Sequence, residues 1–340
     1  MKAAIFGPQS AGRKTLMTAL NSGDGSAVQP GKRSVTTIKV PDERIDWLSS
    51  VFEPKKTTYA TLEVVLDDSS FDSMGKRLNS MRSFEVLVLV AGAFGFGEES
   101  AGSAMDDIQS VLDEMLLADL MVVEKRLEFF NKIGDKGQER KLFDRLHAAL
   151  SEGQFLREIP FNDAEEKFLV TYSFLTRKPL IVVVNIEEEF LGHDAWPKME
   201  EVIRTRGAEP ITLCASLEAE VATLEPEEQR EFLESVGLTG SASARLLRGV
   251  FSALNLISFF TVGDDEVRAW PVRTNSPAPY AGGRVHSDIQ RGFIRAEVVS
   301  YADFHEIGSL VAARKSGRLR TEGKTYVVQD GDIINFLFNV

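Results

Sequence analysis

Short apolar runs alternate along the chain with longer stretches of helical period. Lys2-Ala3-Ala4-Ile5-Phe6-Gly7 is an apolar run ending in glycine, the pattern of a buried parallel strand. Pro8 to Thr15 is a small-residue loop, and Leu16-Met17-Thr18-Ala19-Leu20 opens a helix. Residues 21–34 are polar and glycine-rich and read as a loop. Thr36–Val40 is a candidate strand stopped by Pro41, and Ile45, Leu48, Val51 and Phe52 suit a short helix. Thr61–Leu66, Val86–Val90, Ile181–Asn185 and Pro210–Cys214 are further strands. Their Val and Ile content, with helical stretches between them, predicts a parallel sheet covered on both faces.

Between two of these strands the period changes. Ile108, Val111, Leu112, Met115, Leu116, Leu120, Val123, Leu127 and Phe130 recur at steps of three and four, one face of a long helix. Gly134-Asp135-Lys136-Gly137 is a turn, and Leu142, Leu146, Ala149 and Leu150 mark a returning helix. The pair reads as a projecting, coiled-coil-like hairpin rather than helices laid on the sheet. From Ser258 onward the pattern is of short strands and turns. Tyr326–Val328, the Asp330-Gly331 turn and Ile333–Phe338 read as a β-hairpin. The expected parts are a sheet domain (1–100 and 176–257), an inserted helical hairpin (101–175) and a β-rich domain (258–340).

Composition narrows the class. The 340 residues are 43% hydrophobic and 26% charged, an ordinary globular balance. The net charge of -12 argues against wrapping nucleic acid by bulk charge. Cys214 is the single cysteine, so no internal disulfide forms and a reducing compartment is expected. The four histidines form no zinc-type cluster, and no apolar run is long enough to span a membrane. The expectation is a soluble cytoplasmic protein.

The loop after the first strand carries the candidate chemistry. Gly7-Pro8-Gln9-Ser10-Ala11-Gly12-Arg13-Lys14-Thr15 lies where a phosphate loop, G-x-x-x-x-G-K-[ST], belongs. Glycines let backbone N–H groups crowd round phosphate oxygens, and the helix N-terminus adds a favourable dipole. One frame aligns Gly7 and Gly12, with Arg13 at the lysine position and Lys14 at the hydroxyl position. The other aligns Lys14 and Thr15 with lysine and hydroxyl, leaving Pro8 and Arg13 at the glycines. The first keeps the loop shape and the positive charge but loses the magnesium ligand, so Mg participation is doubtful. A plain strand-to-helix turn with surface cations is the simpler alternative.

Several stretches together resemble the YchF family of Obg-related P-loop NTPases. Val40-Pro41-Asp42-Glu43-Arg44-Ile45-Asp46 is similar to the segment after the family's first switch, and Leu117–Leu127 to its coiled-coil insert. Phe259–Gly263, Glu266–Trp270, His286-Ser287-Asp288, Arg291–Val298 and Val328–Asp332 resemble its C-terminal TGS domain. The resemblance implies an α/β, G-domain-like P-loop sheet with an inserted helical hairpin and a C-terminal β-grasp TGS domain. It also implies ATP or GTP binding and a link to ribosomes and translation. The family reads the base with N-x-x-E, which Asn185-Ile186-Glu187-Glu188 matches. Cys214-Ala215-Ser216 falls where the family has Ser-Ala-Lys, and the lysine is missing.

The implied nucleotide contacts are Gly7, Gly12, Arg13, Lys14 and Thr15 for the phosphates. Asn185, Glu188, Cys214 and Ala215 would serve the base. No catalytic residue is assigned, because the family's Asp-x-x-Gly switch reads Asp67-Asp68-Ser69-Ser70 here and its first switch is shortened. The expectation is a divergent nucleotide-binding protein with weak or absent hydrolysis, acting in translation. The alternative is a nucleotide-free pseudo-GTPase that binds RNA, the ribosome or a protein through the hairpin and TGS domain.

Overall fold

The structure is a computed structural model that describes residues 1–21, 33–67, 74–95, 97–193, 195–235 and 240–339. Most of the expected 21–34 loop and the stretch after Asp67 lie outside the described residues. The chain forms two compact units, residues 1–38 with 63–250 and residues 39–62 with 251–340.

The first unit opens with β1 (Lys2–Phe6) and α1 (Arg13–Leu20). β2 (Arg33–Lys39) follows. The chain then supplies α2 (Glu43–Phe52) and β3 (Lys56–Thr58) to the second unit and returns in β4 (Thr61–Asp67). α3 (Met74–Met81), β5 (Val86–Ala93), α4 (Gly97–Ile133), α5 (Gln138–Ser151) and α6 (Asp163–Leu169) come next. β6 (Leu180–Ile186), α7 (Ala195–Thr205), β7 (Glu209–Leu213), α8 (Ala215–Val221), α9 (Pro226–Ser235) and α10 (Ala242–Ala253) complete it.

The strands join a six-stranded sheet in the order β2-β4-β1-β5-β6-β7. Every pairing from β4 across to β7 is parallel. β5 and β6 are apolar on both faces because helices cover both, which is why they read as unbroken Val/Leu/Ile runs. The order reverses beside β1, since the chain reaches β4 on one side and β5 on the other. Such a switch point leaves a crevice at the carboxyl ends of the strands, where α/β proteins place ligands.

The long helix α4 serves two cores. Its first half buries Ile108, Val111, Leu112 and Met115 against the sheet. Its second half buries Val123 and Phe130 with Leu142, Phe143 and Leu146 of α5. One apolar face thus packs first on strands and then on a returning helix. Between the two cores Asp119 is fully buried and satisfied: it accepts from Arg82 at 2.7 Å and from Thr176 N and Oγ1 at 2.7 and 2.8 Å. A buried carboxylate persists only when paired and hydrogen-bonded in this way.

The second unit is the β-grasp fold. It contains β8 (Leu256–Thr261), β9 (Glu266–Arg273), α11 (Ala278–Val285), α12 (Ser287–Gly292) and β10 (Phe293–Ser300). α13 (Tyr301–Ile307), α14 (Leu310–Lys315), β11 (Arg320–Glu322) and β12 (Asp332–Phe338) close it. Its six-stranded sheet runs β11-β10-β12-β8-β9-β3. β12 lies parallel to β8 and antiparallel to β10.

Residues 39–62 were expected within the sheet domain, yet they belong to this unit. The reason is hydrophobic. Ile45 and Leu48 of α2 are buried with Phe260, Phe304 and Ile333, Trp47 meets Tyr301 and Phe304 edge-on, and β3 pairs in parallel with β9.

The expected hairpin at Asp330-Gly331 does not form as such. Val327 makes only an isolated bridge, to Pro277. The Asp332 carboxylate accepts from Gln329 N at 2.8 Å and from Tyr326 Oη at 2.7 Å, so the segment curls over it instead of pairing with β12. Asp330 accepts from Ser258 N and from Arg44. Acidic turn residues here bind neighbouring donors in preference to closing a two-residue turn.

Burial and the bond to Asp332 push the Tyr326 phenol up, and a hydrogen bond to Asp46 pushes Tyr59 up to about 12. A phenol raised in the folded state holds its proton more tightly there than in the unfolded chain. Its contribution is complete below the unfolded value near 10 and is lost as pH rises through the folded one. Tyr326→Phe is therefore expected to flatten the fall in melting temperature above about pH 10, with the Tyr59 part remaining. Melting curves of both proteins from neutral to alkaline pH check it. An unchanged alkaline slope would reject the assignment.

Candidate functional site

The crevice at β1 is built mainly by backbone. β1 ends at Phe6, and the loop to α1 turns through three left-handed positions, Gly7 (φ 143°), Ser10 (φ 64°) and Gly12 (φ 87°). Left-handed positions so close together are those from which backbone N–H groups can face a bound anion, as in anion-binding nests. Gly7 is required by contact as well as by φ, because a Cβ there would stand 2.2 Å from Val90 O on β5. Gly12 is the N-cap of α1, and Leu16 N donates to Gly12 O at 2.9 Å. α1 begins at Arg13, so Arg13 and Lys14 occupy the first two positions of an eight-residue helix and Thr15 the third. The loop has the shape of the frame that aligns Gly7 and Gly12.

Asn185 locks the loop in place. It is the penultimate residue of β6, every residue of which is buried. Its Nδ2 donates to Ala11 O at 3.0 Å, and its Oδ1 accepts from Ala215 N at 2.8 Å. One amide side chain thus joins the loop after β1 to the turn after β7. A Cβ on Gly12 would stand 2.0 Å from Asn185 Nδ2, so the strut also forbids any larger residue there.

The β7 turn starts at Cys214, the N-cap of α8. Cys214 is buried, with Sγ 3.2 Å from Ser216 Oγ. Ala215 gives its backbone N–H to the strut. Glu188 lies in the short 3-10 turn after β6, on the exposed side. The neighbouring Glu187 reaches across instead, with Oε2 accepting from Gly95 N at 3.2 Å. Asn185 thus joins Ala11 to Ala215, with Gly12 against its side chain, Cys214 just before Ala215, Gly7 against β5, and Arg13, Lys14 and Thr15 opening α1.

Two residues were not singled out from the sequence. Phe94 stands just past β5, 45% exposed, and its ring lies 2.5 Å from where a Gly92 Cβ would be. That same point is 3.2 Å from Ala11 Cα, so the ring stands close to the loop. An exposed aromatic directly after a buried strand run was the available signal. Arg245, on α10, approaches the β7 turn from behind, and nothing local in the sequence marks it.

The chemistry of the donors bears on what the loop could hold. Lys14 holds the position of the magnesium hydroxyl, and an ammonium group has no lone pair to offer. Thr18 Oγ1, one turn on, is engaged with Lys14 O at 3.1 Å. Among the described residues, no group of three or more His, Cys, Asp or Glu side chains is placed to hold a metal ion. In the frame that aligns Gly7 and Gly12, the Lys14 side chain thus offers no lone pair at the magnesium position.

A parallel sheet with a glycine-bounded loop at its switch point, an inserted helical segment and a β-grasp unit defines a G-domain-like P-loop protein. The sequence pattern of the C-terminal domain of YchF GTPases, described as a protein of unknown function (DUF933), matches residues 256–339. The chain is 34% identical over 364 aligned positions to the ribosome-binding ATPase YchF of Bacillus subtilis, covering 100% of both. It is 32% identical over 324 positions to the Obg-like ATPase 1 of rice, covering 89% of this chain and 82% of that protein. The solved structure of the Schizosaccharomyces pombe YchF GTPase superposes with a TM-score of 0.86 at 27% identity, covering 99% of this chain and 97% of that one. The chain belongs to the YchF family. Among the described residues, no helix is long and apolar enough to cross a membrane.

Proposed function

We propose that this chain binds ATP or GTP at the loop between β1 and α1 and uses the bound state in its dealings with the ribosome, in the cytoplasm, with slow or absent hydrolysis. The observation that carries the reading is the Gly7–Gly12 loop, held by Asn185 at the switch point of a parallel sheet. Ribosome association is supported by the likeness to the ribosome-binding ATPase YchF of Bacillus subtilis. Backbone N–H groups and the start of α1 would face the phosphates, and Arg13 and Lys14 would offset their charge. Phe94 offers an exposed ring for the base, and Glu187, Glu188, Cys214 and Ala215 would bound its pocket.

Hydrolysis is reduced in this reading because magnesium normally bridges phosphate oxygens and neutralises developing charge. Arg13 and Lys14 supply charge but not that bridging. A second reading, a nucleotide-free scaffold that meets RNA, ribosome or protein through the hairpin and C-terminal unit, is favoured by the same missing hydroxyl. In both readings that unit acts as a TGS domain.

Thermal shift separates them. With ligand at tenfold its Kd, ATP or GTP is expected to add about 1.4 kcal/mol of stability, a rise of about 2–3 °C. The rise should survive EDTA, because no loop ligand depends on the metal. No shift and no calorimetric heat with ATP, GTP or ADP at millimolar concentration would leave the scaffold reading standing.

A further inference from the structure

Behind the β7 turn lies a buried ion pair with no assigned role. Arg245 on α10 pairs through Nη2 with Glu218 on α8, and their side chains are 16% and 3% exposed. Arg245 Nη1 donates to Thr212 O, near the end of β7, at 2.9 Å. Among the described residues, Arg245 Nε is buried without a hydrogen-bond partner. The guanidinium therefore holds two acceptors on two elements, one on each side of Cys214.

From there the polar links run forward without a break. Glu218 N donates to Cys214 O at 3.0 Å. The next residue, Ala215, gives its N–H to Asn185, and Asn185 binds Ala11 O in the phosphate loop. Thr212 is pinned a second way, its Oγ1 donating to Glu200 at 2.7 Å.

A buried ion pair is a poor device for stability alone, because apolar residues of like volume often serve as well or better. Its distinctive property is geometry, since a planar guanidinium fixes two acceptors at a set angle and spacing. We propose that Arg245 is a positioning residue for the nucleotide site. It sets the β7–α8 turn so that Ala215 N–H meets Asn185, and thereby fixes the register of the loop carbonyl at Ala11. The proposal rests on the nucleotide reading of the site, and its test includes one readout that does not.

The full chain is compared with Arg245→Lys and with the double variant R245M/E218L. The double variant replaces the buried charges by an apolar pair of similar bulk, so it keeps the fold but loses the grip on Thr212 O. Two quantities are read, amide exchange at Ala215 and ATP affinity by calorimetry, with melting temperature as control. Loss of one bond in the chain, about 1.4 kcal/mol, is expected to speed Ala215 exchange about tenfold and to weaken ATP about tenfold in both variants. The double variant should do so at a wild-type melting temperature.

Wild-type Ala215 exchange in the double variant would overturn the proposal, because the pair would then merely fill the core. Faster exchange with unchanged ATP affinity would overturn it as well. If the wild-type protein takes up no ATP, the nucleotide reading fails, and Ala215 exchange still decides whether Arg245 sets the turn.

Discussion

Gly7→Ala is expected to unseat the loop at β1 and to destabilise the first unit by about 3 kcal/mol, within the range of strained backbone combined with core overpacking. Two effects combine. The φ of 143° is one that residues with a Cβ rarely adopt, and the added carbon would stand 2.2 Å from Val90 O. That oxygen belongs to the backbone of β5, buried and paired on both sides by β1 and β6, so it cannot move aside alone. Either β5 shifts or the loop leaves its nest. Denaturant melts give the stability change, and calorimetry with ATP should show binding lost even at temperatures where the variant remains folded. Retained affinity in a folded Gly7→Ala protein would show that the nest is not where the ligand sits.

Asn185→Ala carries the second large effect. The substitution removes both bonds of the strut and leaves Ala11 O and Ala215 N without it. An unsatisfied buried backbone group costs about 1–3 kcal/mol, so the pair sets an expected loss of about 2–6 kcal/mol. A double-mutant cycle with Gly12→Ala sharpens the test. In the wild-type background the Gly12 Cβ would meet Asn185 Nδ2 at 2.0 Å, and in the Asn185→Ala background that clash is gone. Gly12→Ala should therefore cost less in the second background, leaving mainly the strain of a φ of 87°. Strict additivity of the two changes would contradict the contact. Asn185→Asp keeps one acceptor for Ala215 N–H but places a carboxylate against the carbonyl of Ala11. It should fall nearer to alanine than to wild type.

These two residues illustrate how differently parts of the site were legible. Gly7 and Gly12 stand out in sequence because their spacing between an apolar run and a helical run is itself the signal. Asn185 was marked as a base reader, since it ends an apolar strand in an N-x-x-E pattern. Its side chain also ties two backbone segments together, and a pattern of residue types does not report which atoms face each other. The same pattern points to Glu188, while the neighbouring Glu187 is the one that reaches Gly95 N. Adjacent positions on a turn point in different directions, and spacing alone does not choose between them. Arg245 gave no signal, because its partners lie 33 and 27 residues away.

The fold divides in the same way. Apolar period and glycine placement marked the parallel strands, the long helix of the insert and the change of character near residue 258, because each reflects the backbone geometry of a single element. The excursion of residues 39–62 into the second unit had no such mark. α2 is an amphipathic helix that any apolar surface could receive, and only the presence of Phe260, Phe304 and Ile333 at the right places selects its partner. The Asp330-Gly331 turn failed for a related reason, since its outcome depends on Ser258 and Arg44, far away in sequence.

What the sequence by itself determined was which segments are strands and helices, and where the glycine-bounded loop with Lys14 in its eighth position falls. Those are properties of local period, φ preference and side-chain chemistry. What only the tertiary structure decided was which segments share a core and which side chains meet across the crevice. Burial and hydrogen-bond pairing between distant residues are set by how the elements assemble, and no local pattern encodes that assembly.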